Sequence, residues 1–363
     1  MLVCGGGTGG HVYPALAVIE ALRVAGADAN PVLYVGAPGS AEERLSAREG
    51  LPFAPVASGQ MRGRNPLIVA RSLARASRGV GQARRIIASF RPDVVFSTGG
   101  YASAPVLIAA RWAGCPALVF LPDIEPGITI KLLSRLTQRV AVSFDDAACY
   151  FPAGKVVVTG YPVRRAVRDM TRAAGRSALG LPPDGLIVLA FGGSQGARSI
   201  NRAVAGAASR WAALAHIIHI TGERDYDWVM QQRAGLPAEA QSRYHVFAYL
   251  HNEMPAALAA ADLAVARAGA STLGEFPAAG LPSILVPYPY SGQHQYANAR
   301  FMQRVGAALL LEDSALSSQL AGAVEALLTD AGRRQAMASA TRALARPTAA
   351  EALAAELRRL ARN

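Results

Sequence analysis

One junction occurs twice in this chain, once at its start and once near its middle. The first runs from Leu2-Val3-Cys4 into Gly5-Gly6-Gly7-Thr8-Gly9-Gly10-His11. The second runs from Val188-Leu189-Ala190-Phe191 into Gly192-Gly193-Ser194-Gln195-Gly196-Ala197. Each is an apolar strand, a glycine-rich turn with one hydroxyl residue, and the start of a helix. Glycine is required where the backbone turns sharply and must admit another backbone or a ligand at close range. A strand feeding such a turn opens a parallel sheet. Two openings mean two α/β halves, and 363 residues is comfortable for two domains and long for one.

The remaining pattern agrees. Strand-length apolar runs lie at 31–35, 52–56, 93–96, 117–120, 139–142 and 155–158, and again at 186–191, 216–220, 244–247, 263–266, 283–286 and 307–311. Longer stretches with helical spacing, such as 14–24 and 66–89, separate them. Continuous apolar strands alternating with helices predict parallel sheets covered on both faces, two Rossmann-like doubly wound domains. The run 161–184, with Pro162, Gly180, Pro182 and Pro183, breaks this rhythm and reads as a linker between domains at 1–160 and 185–345. The Ala/Arg/Leu-rich end, 331–363, reads as helix, and residues 346–363 are placed to cross back and brace the first half.

Lys and Arg exceed Asp and Glu by 12. Such a field favours anionic lipid head groups or diphosphates. No nucleic-acid motif accompanies it, so nucleic acid is not an expected partner. Three scattered cysteines fit a reducing cytoplasm. No apolar run reaches the ~18–20 residues of a spanning helix, and the start lacks the features of a signal peptide.

Gly5, Gly7 and Gly10 satisfy the dinucleotide spacing, but an NAD site needs an acidic residue at the end of the second strand. Here that strand ends at Val35-Gly36, and Asp28 precedes it. The same glycine turns also suit a diphosphate, because helix amino termini offer free N–H groups and positive partial charge. The plainer alternative is a pair of tight turns. His11 falls in the first helical turn, where the dipole keeps its ring neutral and able to accept a proton; the plain alternative is a helix-start histidine bonded to backbone. A second constellation, Arg267-Ala268-Gly269-Ala270-Ser271-Thr272-Leu273-Gly274-Glu275, follows a strand ending at Ala266. Its turn amides suit a phosphate, and Glu275, one turn into the next helix, suits the two hydroxyls of a ribose. A metal site competes: Asp225-Tyr226-Asp227 has the spacing that holds a divalent ion on a diphosphate, and Asp145-Asp146 is another acidic pair. Both sit near expected helix starts, where Asp is favoured anyway. Without metal, dipoles and arginine must neutralise the leaving group, and Arg164 and Arg267 are available.

Taken together, the two glycine junctions, Gly99-Gly100-Tyr101, Tyr161-Pro162-Val163-Arg164, the Arg267 to Glu275 run and His294-Gln295-x-x-Asn298-Ala299 resemble the MurG family, in the family's order along nearly the whole chain. The resemblance implies GT-B architecture, two Rossmann-like domains facing a cleft. It implies an inverting, metal-independent hexosyltransferase without cofactor, which moves N-acetylglucosamine from UDP-N-acetylglucosamine to the 4-hydroxyl of undecaprenyl-pyrophosphate-linked N-acetylmuramoyl-pentapeptide. By that resemblance Thr8, Gly9 and Gly10 line the transfer site and His11 is the base. Arg164 and Ser194 bind the donor's sugar and diphosphate. Ala270, Ser271, Thr272, Leu273 and Gly274 hold the diphosphate, Glu275 the ribose, and Gln295 the sugar hydroxyls. His251 falls where the family's backbone meets the uracil edge, and Tyr101 lies near the acceptor.

Two segments depart from the family's pattern. Phe120-Leu121-Pro122-Asp123 stands for its His-Glu-Gln-Asn, and Tyr161 for the Asn of Asn-Pro-Val-Arg. Asp123 accepts hydrogen bonds from sugar hydroxyls but cannot donate. The departures keep rivals open: a transferase acting on another lipid such as diacylglycerol, a UDP-sugar 2-epimerase of the same architecture, or a non-catalytic binding scaffold. Between Met61 and Phe90, Arg62, Arg64, Arg71, Arg75, Arg78, Arg84 and Arg85 interleave with Leu67, Ile68, Val69, Leu73, Ile86, Ile87 and Phe90. This suits an anionic bilayer surface and a peripheral place on the cytoplasmic face of the membrane, or equally a solvated helix with one side on a sheet.

Overall fold

The computed structural model describes residues 1–6, 9–27, 31–59, 66–193, 195–290 and 294–362. The chain divides into two compact units, Met1–Arg164 with Arg346–Asn363, and Arg165–Ala345.

In the first unit seven strands form an all-parallel sheet: β1 (Leu2–Cys4), β2 (Leu33–Gly36), β3 (Phe53–Pro55), β4 (Val95–Ser97), β5 (Ala117–Leu121), β6 (Arg139–Val142) and β7 (Val156–Val158). Their order is β3-β2-β1-β4-β5-β6-β7. β1, β4 and β5 are buried along their whole length, as expected of strands covered by helices on both faces. The order reverses between β1 and β4, which register Leu2 to Val95 and Cys4 to Ser97. In doubly wound sheets ligands bind outside the carboxyl ends of the strands at that switch point. Here the loops leaving those two ends are the first glycine junction and Gly99-Gly100-Tyr101.

The second unit repeats the scheme with β8 (Leu186–Phe191), β9 (Ala215–Ile220), β10 (Tyr244–Phe247), β11 (Leu263–Ala266), β12 (Ser283–Leu285) and β13 (Ala308–Leu310), all parallel, in the order β10-β9-β8-β11-β12-β13. Its switch point lies between β8 and β11. The loops there are the second glycine junction and the Arg267 to Glu275 run, so each half places two of its singled-out motifs at the position where α/β sheets bind ligands.

The segment 161–184 is more than the connecting chain its prolines imply. It carries two helices, Arg165–Arg168 and Arg172–Ala178. Arg176, only 2% exposed, explains why it is anchored to the second unit. Its guanidinium donates to the carbonyls of Pro182, Pro183 and Gly185 and to Asp262 Oδ2 at 2.7–3.2 Å. Asp262 also takes Arg172 at 2.6 and 3.0 Å and the Ile187 amide at 2.9 Å. At the other end the expected single helix breaks in two, Ala331–Ala343 and Ala349–Ala361. Pro347 lies in the break; it has no N–H to continue the ladder and disfavours helix at Arg346. The closing helix packs in the first unit, where Arg358 donates to the Leu22 and Ala25 carbonyls at 3.4 and 3.1 Å. A cation there meets the negative end of the helix Gly9–Leu22.

Candidate functional site

In the first unit β1 ends in Gly5-Gly6, and helix α1 (Gly9–Leu22) begins just beyond. The two glycine turns are stitched together by backbone: Thr98 donates to the Cys4 carbonyl at 3.0 Å, and Gly6 to Gly99 at 3.2 Å. Only glycine fits. Gly99 and Gly100 both have φ of +89°, and a Cβ on Gly100 would collide with the Gly6 carbonyl. From beneath, the buried Tyr34 hydroxyl donates to the Gly5 carbonyl at 2.9 Å. Burial pushes that phenol well above its usual range, so it stays a donor.

His11 is half-buried in the first turn of α1, with Nδ1 2.7 Å from the Thr98 carbonyl oxygen. A carbonyl can only accept, so Nδ1 carries the proton and the neutral ring presents Nε2 as a lone-pair acceptor. The bond to backbone expected of a merely structural histidine is therefore present. It also fixes the tautomer that a base needs.

Pro14 sits four residues after Gly10, so the Gly10 carbonyl receives no helical hydrogen bond from it. The Tyr161 hydroxyl donates to that carbonyl at 3.3 Å. Three residues on, the Arg164 guanidinium lies over the Tyr13 ring at 4.1 Å from its centroid. Tyr161 meets Phe120 edge to face, centroids 6.0 Å apart. The two departures from the family's pattern are thus one packed pair. Asp123 follows β5, half-buried, and Tyr101 stands 39% exposed beside its glycines. Thr8 and Ser194 lie outside the described residues.

In the second unit the loop after β8 turns on Gly193 and Gly196, with φ of +89° and +71°. A Cβ on Gly196 would strike the Thr221 carbonyl. Helix Arg198–Ala212 follows, and its buried Asn201 anchors the loop. Asn201 Nδ2 donates to Thr221 O at 2.8 Å and Asp225 Oδ2 at 2.9 Å, while Oδ1 pairs with His219 Nε2 at 3.1 Å. His219 Nδ1 then accepts from the Tyr244 hydroxyl at 2.8 Å. Burial lowers the His219 pKa to about 3, so the ring is neutral. Asp225 is therefore committed to this network and to Arg198 at 3.5 Å, which corrects its reading as one half of an ion-binding pair. Asp145 and Asp146 are exposed and open a short 3-10 helix, Asp145–Tyr150.

The run after β11 forms a 3-10 turn, Ala270–Leu273, and then a separate helix, Glu275–Ala279. Glu275 is thus the first residue of a helix and does not lie one turn inside it. Pro277 explains the split, since it lacks the N–H that would bond the Leu273 carbonyl. Thr272 and Leu273 are buried, and the Thr272 hydroxyl donates to Gly269 O at 2.7 Å, so these two offer backbone alone. Ala270 and Ser271 are half-exposed.

Arg267 requires a correction. Its guanidinium pairs with Asp313 at 2.6 Å and with Ser199 Oγ at 2.9 Å, and it donates to the Val286 and Pro287 carbonyls at 3.3 Å. Its charge is compensated within the unit, so it is not a free cation for a leaving group. Gln295 opens the helix His294–Arg304 and accepts from the Tyr288 amide at 2.9 Å through Oε1, which leaves its NH₂ as the outward donor. The His251 amide donates to Glu253 Oε2 at 3.2 Å, and its ring leans on Tyr249. A uracil meeting that amide would have to displace the carboxylate.

The basic stretch 61–90 resolves partly. It includes helix Pro66–Phe90, on which Arg75, Arg78, Arg84 and Arg85 are exposed. Ile87 is buried, and Ile86 and Phe90 pack on the same core. Those three face the sheet, as a solvated helix requires. Arg62 and Arg64 lie outside the described residues, as do the side chains of Leu67, Ile68, Val69, Arg71 and Leu73. Arg84 stands over the ring of Trp112, which is 65% exposed. No helix among the described residues is long and apolar enough to cross a membrane.

Residue types alone did not flag Tyr13, Tyr34, Thr98, Tyr161 or Asn201. The spacing of Pro14 to Gly10 was the one available signal, because it leaves a carbonyl for some donor to find.

Comparison with known proteins agrees with this geometry. Residues 1–142 match the glycosyltransferase family 28 N-terminal domain, and residues 187–353 its C-terminal domain. The chain is 42% identical to the UDP-N-acetylglucosamine--N-acetylmuramyl-(pentapeptide) pyrophosphoryl-undecaprenol N-acetylglucosamine transferase of Roseiflexus sp. (strain RS-1), over 96% of this chain and 92% of that protein. It is also 42% identical to the transferase of that name from Desulforudis audaxviator (strain MP104C), over 99% and 98%. The crystal structure of Acinetobacter baumannii MurG superimposes with a TM-score of 0.75 at 27% identity, covering 99% of each chain. Two sheets switched at their glycine junctions, a histidine held in the proton-accepting tautomer and identity along almost the whole length place this chain in the MurG family of glycosyltransferase family 28.

Proposed function

We propose that this protein transfers N-acetylglucosamine from UDP-N-acetylglucosamine to the 4-hydroxyl of lipid-linked N-acetylmuramoyl-pentapeptide, with inversion at the anomeric carbon. The observation that carries the reading is 42% identity over 96–99% of the chain to transferases of that name. The site chemistry supports it.

The second unit takes the donor. Backbone amides of Gly192 to Ala197 and Ala270 to Gly274 face the diphosphate, Glu275 the ribose, Gln295 the sugar hydroxyls and the backbone near His251 the uracil. In the first unit Nε2 of His11 removes the proton of the acceptor hydroxyl as its oxygen attacks the anomeric carbon. The bond to the UDP oxygen breaks, and its electron pair leaves on the nucleotide. Turn amides and Arg164 stabilise that charge without a resident metal. His11 then returns its proton to solvent. The enzyme works at the cytoplasmic face of the membrane, drawn there by the exposed arginines of Pro66–Phe90 and by Trp112.

The test is transfer of labelled N-acetylglucosamine to defined acceptors. Label in the lipid-linked muramoyl-pentapeptide, and none in diacylglycerol, is the expected result. Transfer to diacylglycerol, or UDP-N-acetylmannosamine forming without acceptor, would replace the reading.

A further inference from the structure

Arg164 is held by a ring. Its guanidinium carbon lies 4.1 Å from the centroid of Tyr13, and Tyr13 stands on α1, the helix that carries His11. Its Nε is buried with no hydrogen-bond partner, and among the described residues no carboxylate pairs with it. The chain segment is pinned as well, because Tyr161, three residues earlier, donates its hydroxyl to the Gly10 carbonyl of the same helix at 3.3 Å. Arg267 offers the contrast. It too lies near an aromatic ring, but Asp313 compensates its charge at 2.6 Å.

A guanidinium stacked by one face keeps its N–H edge for an in-plane, two-point partner, the geometry that suits two oxygens of a phosphoryl group. Stacking also removes rotamer freedom that an unsupported arginine would lose on binding. We propose that Tyr13 is a positioning residue that holds Arg164 ready for a diphosphate, so that α1 supports both the base and an anion site. The inference rests on the reading of Arg164 as a diphosphate ligand. Donor and acceptor each carry a diphosphate, and the experiment tells them apart.

The experiment is steady-state kinetics of the full-length enzyme, varying UDP-N-acetylglucosamine and lipid acceptor in turn, with thermal melts of every variant. Arg164→Gln should raise one KM by about tenfold or more, the scale of a lost charge-assisted contact. Tyr13→Leu should raise the same KM by about 3- to 10-fold with kcat changed less, the equivalent of a cation–π contact. Tyr13→Phe keeps the ring and should stay near wild type. Adding Tyr13→Leu to Arg164→Gln should cost nothing more. A rise confined to the nucleotide sugar assigns the site to the donor, and one confined to the lipid assigns it to the acceptor. If Tyr13→Leu does not fold, Arg164→Lys poses the question from the other side, since it keeps the charge and loses the planar stack. Arg164→Gln without effect on either KM would remove the reading of Arg164. Arg164→Gln impaired while Tyr13→Leu stays at wild-type KM, or Tyr13→Phe impaired as far as Tyr13→Leu, would overturn the role of Tyr13 alone.

Discussion

The hydroxyl of Tyr161 donates to the carbonyl of Gly10 at 3.3 Å, at the one place in the first turns of α1 where Pro14 leaves a carbonyl without its helical partner. Tyr161 also packs edge-on against Phe120. Both residues stand where this chain departs from its family's pattern, so the departures are coupled and the hydroxyl is put to use. Tyr161→Phe should lower stability by ~1 kcal/mol, the net value of such a bond. A double-mutant cycle of Phe120→Leu and Tyr161→Leu should return a coupling of ~0.5–1.5 kcal/mol in urea unfolding. Strict additivity would show that the two departures are independent.

Asp262 is the only carboxylate among the described residues that pairs with the buried Arg176. Asp262→Ala leaves that guanidinium with carbonyls alone and releases Arg172 from its bidentate contact. The expected loss is ~3–5 kcal/mol, the cost of an uncompensated buried charge. Urea unfolding followed by circular dichroism measures it. A loss below ~1 kcal/mol would mean the segment 165–184 is held by its helices and not by this ion pair.

His219 gives the second unit an acid limit. Its ring is neutral in the fold with a pKa of about 3, against an ordinary value of 6.5. The unfolded state therefore binds the proton first as pH falls. Stability is fully present above 6.5 and drains away between 6.5 and about 3. Burial also lowers the pKa values of the stacked pair His216 and His245, in the same direction. His219→Leu should be less stable at neutral pH by ~2–4 kcal/mol, because Tyr244 and Asn201 lose their partner. Its urea midpoint should nevertheless fall less steeply with acid than that of wild type. Parallel slopes would contradict the assignment.

Charge on the helix Pro66–Phe90 should govern membrane approach. The enzyme should sediment with vesicles containing phosphatidylglycerol and release as salt rises, since surface attraction is screened within about 8–10 Å at these ionic strengths. Replacing Arg75, Arg78, Arg84 and Arg85 by Gln together should abolish sedimentation while leaving the thermal midpoint unchanged. Equal binding to neutral vesicles at every salt level would count against it.

The fold was largely legible because buried parallel strands are near-continuous apolar runs, and the twelve runs listed from composition each fall on a strand of the two sheets. Glycines were legible for a similar reason: at Gly100 and Gly196 no other residue fits. What escaped were interactions set by tertiary approach. Nothing in the local sequence says that Tyr161 reaches Gly10 or that Arg267 finds Asp313, since such partners are far apart along the chain. Asp225-Tyr226-Asp227 shows the converse, a spacing that fits an ion but whose first carboxylate the fold spends on Asn201. The helix break at Arg346-Pro347 was visible in the proline and was passed over because the flanking composition is so strongly helical.

The central claim is that His11, with Nδ1 tied to the Thr98 carbonyl, offers Nε2 to the acceptor's proton. Single-turnover transfer by His11→Ala, set beside its UDP affinity from calorimetry, tests this most directly. The account predicts a rate lowered by ~10²–10⁴ with UDP affinity within about twofold of wild type. Unchanged turnover with lost UDP affinity would contradict it, because His11 would then be a nucleotide ligand and not the base.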